Sequence, residues 1–199
     1  MTNNDIQLNN LAESKSKPKS KPKPILKLVV DPGTSLSKIL YVVNEGTVKW
    51  MTMGAEYLTL PSASAKSLPI DSGMGQPEDS AWVRLSKSGE CHAVGFVASN
   101  YRATVSIKKL KHESLPFKIL AAVGAIASRE KLGNSFKLKL GVLLPESEYR
   151  LEHDWSSELK TALASFYFQD RQIKVKLTSF SCKVGLDGYI RGNSCLRNF

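Results

Sequence analysis

The chain is poor in the residues that build covalent or metal frameworks. It has three cysteines and three histidines in 199 residues. Cys91, Cys182 and Cys195 are odd in number and far apart. That excludes a disulfide scaffold and points to free thiols in a reducing compartment. Cys91 and His92 are neighbours, but no CxxC or HxxxH stands near them, so four ligands at zinc spacing do not assemble. No apolar run reaches the ~18 residues of a membrane span, so no membrane partner is expected. Met1 to Asn10 is polar and carries Asp5, unlike a secretory signal. The expected location is therefore cytoplasmic. A Walker A loop is also lacking, because no Gly-Lys-[Ser/Thr] opens a helix. Acids are scarce: 18 Asp and Glu face 28 Lys and Arg, a formal net charge of +10. Such a balance favours anionic partners such as nucleotide or nucleic acid.

What is present is the composition of a soluble globular domain, 42% hydrophobic and 23% charged. Three regions are expected: a tail over 1–24, a folded domain over 25–184 and an irregular end over 185–199. In the tail Lys15, Lys17, Lys19, Lys21 and Lys23 alternate with serine and proline. Like charges and proline favour an extended, disordered chain. It reads either as an electrostatic arm for nucleic acid or as a solvated leader, and it lacks arginine and aromatics for base contacts.

The stretch from Leu26 to Val43 reads as strand, polar turn, strand. Asp31 opens the turn, Gly33 lets a ligand approach the backbone, Thr34, Ser35 and Ser37 add hydroxyls, and Lys38 closes it. Backbone N–H groups and hydroxyls of such a turn can wrap phosphate, with Lys38 as counter-charge and Asp31 holding Mg²⁺ through water. An ordinary hairpin with a polar turn fits the same residues.

Thr47 to Met53 alternates as a third strand, completing a meander. Ala55 to Lys66 fits a short helix or a loop. Ser80 to Leu85 and Ala93 to Ala98 read as two strands, with Gly95 marking a bulge or a close backbone approach. Pro116 to Leu132 is a helix with Pro116 at its first position and Gly133 as its stop. Phe136 to Leu144 is a strand. Glu146 to Ser165 holds a helix capped by Ser156 or Ser157, with Leu159, Leu163 and Phe166 inward and Trp155 packed at its start. Glu146 and Glu148 are expected at the surface. Phe166 to Thr178 reads as a hairpin turning at Gln169 to Gln172. The tally predicts an α/β fold with a central mixed sheet and flanking helices.

The pattern Asp31-x-Gly33-Thr34-x-x-x-Lys38 between two strands resembles the first phosphate loop of the actin-like ATPases, most of all their ParM-like plasmid-segregation branch. The resemblance extends from about Ile25 to about Lys183. Leu115 to Gly124 resembles that branch's helix, Leu138 to Pro145 with Tyr149 its next strand and turn, and Val94-Gly95-x-x-Ala98 a short segment of it. The resemblance implies a ribonuclease-H-like half-domain. It implies ATP or GTP with Mg at Asp31, Gly33, Thr34, Ser35 and Lys38. It also implies self-association into filaments and a role in plasmid or phage DNA segregation, meeting DNA through an adaptor or the basic tail.

Only the family's N-terminal half is matched. Its second Asp-x-Gly phosphate loop and adenosine site have no counterpart after Leu177. Its catalytic glutamate is missing from Ser179 to Val184, so the catalytic residue is unknown. A truncated protein with little or no hydrolysis of its own is the expectation. Two other functions compete. One is a non-enzymatic basic module that binds nucleic acid on a ribonuclease-H-like core. The other is a two-metal nuclease, which needs several convergent carboxylates where only Asp31 is well placed.

Overall fold

The computed structural model describes residues 22–60, 76–101 and 111–185. Among them lie the strands β1 (Ile25–Pro32), β2 (Leu36–Val43), β3 (Lys49–Gly54), β4 (Tyr57–Leu60), β5 (Ala81–Leu85), β6 (Cys91–Val94), β7 (Ser135–Leu144), β8 (Phe166–Phe168) and β9 (Arg171–Val184). The helices are α1 (Phe96–Asn100), α2 (Lys111–Arg129), α3 (Glu146–Tyr149) and α4 (Glu152–Ala164), with a 3-10 turn at Pro77–Ser80. The strands form one mixed sheet in the order β3-β2-β1-β7-β9-β8-β5-β6-β4. This is the expected α/β, ribonuclease-H-like architecture. A three-strand antiparallel meander is extended by β7 and β9, both parallel to β1.

Alternation decides which face is buried. Leu26, Leu28 and Val30 of β1, Ile39 and Tyr41 of β2, and Phe136, Leu138, Leu140 and Val142 of β7 share one face. Against it pack Leu115, Ile119, Leu120, Val123 and Ile126 of α2 and Trp155, Leu159 and Leu163 of α4. All of these form one continuous core. The long β9 joins the two halves of the sheet. Its start pairs antiparallel with β8, and from Lys174 it runs parallel to β7, with a bulge opposite Leu138/Lys139.

Several local expectations change. Residues 57–60, read as helix or loop, form β4, which pairs with β6. The inserted strands are thus three and belong to the main sheet through β8. Of these, β6 ends at Val94, not Ala98. Gly95, at φ 68°, turns the chain into α1. Its backbone approach is close, since a Cβ there would lie 3.2 Å from the Gly54 nitrogen. Pro116 lies inside α2, because the helix begins at Lys111 and Leu115 is wholly buried.

Gly133 is not the residue that stops α2. Lys131 takes the left-handed conformation at φ 52°, and the Leu132 N–H donates to the Ala127 carbonyl at 3.0 Å. That is a Schellman-type stop two residues earlier. Ser156 and Ser157 do not cap α4 but lie inside it. What the sequence predicts for residues 1–21, 61–75, 102–110 and 186–199 lies outside the described residues. Lys23 does not float free: its Nζ donates to Ser135 Oγ at 2.8 Å, and the Pro24 carbonyl accepts from the Lys137 N–H at 2.9 Å.

Candidate functional site

Gly33, Thr34 and Ser35 join β1 to β2, and the register sets Asp31 opposite Lys38. The Gly33 N–H donates to the Asp31 carbonyl at 3.0 Å, and the Ala55 N–H donates to the Ser35 carbonyl at 3.1 Å, so the turn is held at both ends. A Cβ on Gly33 would collide with the Leu36 carbonyl oxygen, so this corner admits only glycine without rearrangement. Thr34, Ser35 and Lys38 are exposed, while Asp31 is half-buried. Ser37 faces the other way, at 2% exposure, and its Oγ has no partner among the described residues.

The parallel strands β1, β7 and β9 end together, and each feeds a different connection at that end. The hairpin turn follows β1 and α3 follows β7. At the end of β9 the Gly185 N–H donates to the Leu144 carbonyl at 3.0 Å. In open α/β sheets ligands bind beyond such carboxyl ends. The sequence-predicted residues Asp31, Gly33, Thr34, Ser35 and Lys38 are therefore neighbours at the carboxyl end of β1.

Asp31 and Lys38 also line a groove of about 310 Å³ on the sheet, with Val29, Leu40, Trp50 and Thr52. Asp31 is the only carboxylate in β1, β2, β3, β7 and β9, while each of these strands carries lysine. Among the described residues no group of three His, Cys, Asp or Glu side chains is placed to hold a metal. A hydrated Mg²⁺ held by Asp31 and by phosphate oxygens fits this donor set; an all-protein metal centre does not.

Two features escaped the sequence. Glu148 is not a surface residue. It is 7% exposed, in the one-turn helix α3 beyond the carboxyl end of β7, whereas Glu146 is exposed as expected. Four residues give no periodic signal that would reveal this. The second feature is an aromatic stack around His92. Its ring lies 3.8 Å from that of Phe117, and its Nδ1 is 2.9 Å from the Tyr57 hydroxyl. Burial lowers its pKa to about 4, and burial raises that of the neighbouring Cys91 thiol. A buried, protonated thiol is a packing group, not a nucleophile.

No protein-family model matches the sequence. No curated protein matches it either. Solved structures do resemble the fold. The AlfA filament from B. subtilis plasmid pLS32 aligns at TM-score 0.58 and 12% identity, over 80% of this chain and 55% of its own. An AlfA filament bound to AMPPNP aligns at 0.53 and 10% identity, over 80% and 54%. The actin-like protein Alp7A aligns at 0.53 and 16%, over 80% and 45%. ParM of Bacillus thuringiensis aligns at 0.50 and 14%, over 81% and 46%. The chain thus spans about half the length of the structures it matches. Its strand order, its helix layer and these likenesses agree that the chain has the actin-like fold of the ParM-type filament proteins over that part of their length.

Proposed function

We propose that this chain is the nucleotide-binding half of an actin-like, ParM-like filament protein of plasmid or phage DNA segregation, with the Asp31–Lys38 hairpin as its phosphate loop. One observation carries the reading. The glycine-cornered turn, with an acid and a lysine in register, stands at the joint carboxyl end of β1, β7 and β9. In this reading backbone N–H groups of the turn, Thr34 and Ser35 hold the phosphates of ATP or GTP, Lys38 neutralises them, and Asp31 holds Mg²⁺ through water. Self-association into filaments and contact with DNA through an adaptor or the lysine tail belong to the same proposal. One half-site clamps a nucleotide from one side only. Binding is then weak and hydrolysis slight unless a second half completes the cleft.

The test is MgATP titration by calorimetry with wild type, Asp31→Ala and Lys38→Ala. Losing one charge-assisted contact is expected to weaken binding by about 10- to 100-fold, from ~1.5–3 kcal/mol per bond to a charged group. Wild-type affinity retained in both variants would sink the phosphate-loop assignment. The lysine excess of the five strands and the net charge of +10 favour a second reading, a basic nucleic-acid-binding module. It predicts DNA binding that falls steeply with salt, is lost on deleting residues 1–24, and occurs with no nucleotide bound.

A further inference from the structure

The bulge in β9 reverses the alternation of that strand. Before it Ile173, Val175 and Leu177 turn to the core, and Lys174 and Lys176 turn away. Thr178 is the extra residue, and its hydroxyl donates to the Leu138 carbonyl at 3.0 Å. Beyond it Phe180 and Cys182 pack on the core, and the Phe180 ring meets Trp155 of α4 edge-on. Ser179, Ser181 and Lys183 therefore turn to the opposite face. Without the bulge Lys183 would point into the core. Two observations agree with this placement. Lys183 is exposed, and a Cβ on Gly185, two residues on, would lie 2.9 Å from the Cβ of Leu143, which belongs to that same face.

The register carries Lys183 to the phosphate loop. Lys183 pairs with Leu143, and Leu143 stands level with Asp31, one step beyond the Val30–Val142 pair. Asp31 in turn pairs with Lys38. One row across four strands thus reads Lys183, Leu143, Asp31, Lys38. Among the described residues no ion pair engages either lysine.

We propose that Lys183 is a second phosphate-binding lysine of this site, so that a polyphosphate bound with Mg²⁺ at Asp31 has a lysine on each side. The inference rests on the phosphate-loop reading above. Strands spaced ~4.8 Å apart set β9 about 10 Å from β1. A phosphate standing over Leu143 divides that span, and the flexible four-carbon stem of lysine crosses its share. Leu143 offers no hydrogen bond, so the charge of such a phosphate has to be met from the flanking strands. A bulge that re-aims one side chain beside a site is a recurrent device. Lys174 and Lys176 share the face but lie about 20 Å or more back along β9, at ~3.3 Å per residue. They are too far away to take part.

The test is calorimetric titration of the full chain with MgATP and with magnesium tripolyphosphate, using wild type, Asp31→Ala, Lys183→Ala, Lys183→Arg and Lys176→Ala. Lys183→Ala is expected to weaken both ligands about tenfold or more, the scale of one hydrogen bond to a charged group. Lys183→Arg keeps the charge and should keep most of the affinity. Lys176→Ala should bind as wild type does. Wild-type affinity in Lys183→Ala, with weaker binding in Asp31→Ala, would remove Lys183 from the site and leave the phosphate loop standing. A loss with MgATP but not with tripolyphosphate would set Lys183 against the nucleoside and overturn its phosphate role. An equal loss in Lys176→Ala would reduce the effect to net charge and overturn it too. Binding of neither ligand by wild type would sink Lys183 and the phosphate loop together.

Discussion

Lowering the pH from 7 to 4 is expected to cost the protein up to about 3 kcal/mol through His92 alone. The ring is 2% exposed, stacked on Phe117, and its Nε2 has no partner among the described residues. Adding a proton there would bury a charge with nothing to accept its second N–H, so burial lowers the pKa from 6.5 to about 4, against a smaller opposing pull from Glu90. The unfolded chain binds the proton near the ordinary value. Between the two values the unfolded state therefore holds more protons, and stability rises with pH. The contribution is complete above about 6.5 and fades as the pH falls towards 4.

Denaturant midpoints over pH 4–7 measure this slope. His92→Phe keeps a ring between Tyr57 and Phe117 and removes the titration, so its slope over that window should flatten. An unchanged slope would remove His92 as the cause. Glu130 acts in a different window. The hydrogen bond from Lys49 Nζ, at 2.7 Å, and that from the Tyr41 hydroxyl, at 2.9 Å, hold its carboxyl below the usual range. A depressed carboxylate loses its contribution only when the pH falls below that range, so the two slopes separate.

Gly124→Val is the second large effect: a loss of about 3 kcal/mol, on the scale of core overpacking. Gly124 lies mid-way along α2, where glycine is a poor helix former. Its reason is packing. A Cβ there would overlap the Phe168 ring, and Phe168 is itself 1% exposed in β8. Rotating the ring does not relieve the overlap, because the added atom would also lie 2.6 Å from the Cβ of Phe168, and the Gln169 N–H, donating to the Trp82 carbonyl at 2.8 Å, anchors the backbone just beyond it. At ~2–4 °C per kcal/mol for a domain of this size, the thermal midpoint should drop by about 6–12 °C. Gly124→Ala returns about 1 kcal/mol of helix propensity and should cost less. Adding Phe168→Leu to Gly124→Val should recover part of the loss, since the two sites share one space. Full stability in Gly124→Val would contradict the close packing of α2 on β8.

What could be read in the sequence followed local chemistry. The hairpin from β1 to β2 was legible because β-branched strands flank a turn that only a few residue types can make. The α2 core face, the β7 strand and the β8 turn were legible for the same reason. Asp31, Gly33, Thr34, Ser35 and Lys38 came together as expected because adjacent strands of a hairpin share one register. Where the signal spanned only one or two periods it failed. The four residues of β4 and the four of α3 carry too little pattern to distinguish strand, helix and loop.

The sequence by itself therefore determined the longer elements, the hairpin and the residues at its turn, since each depends on neighbours within a few positions. Only the tertiary structure decided the rest. It turned Gly95 into a corner, placed Glu148 and His92 in the interior, made Gly124 the contact with Phe168, and brought Lys183 into one row with Asp31 and Lys38. Each of these depends on pairing between strands far apart in the chain. Such pairing forms because the sheet buries a common face, and no local pattern encodes which distant strand will supply the neighbour.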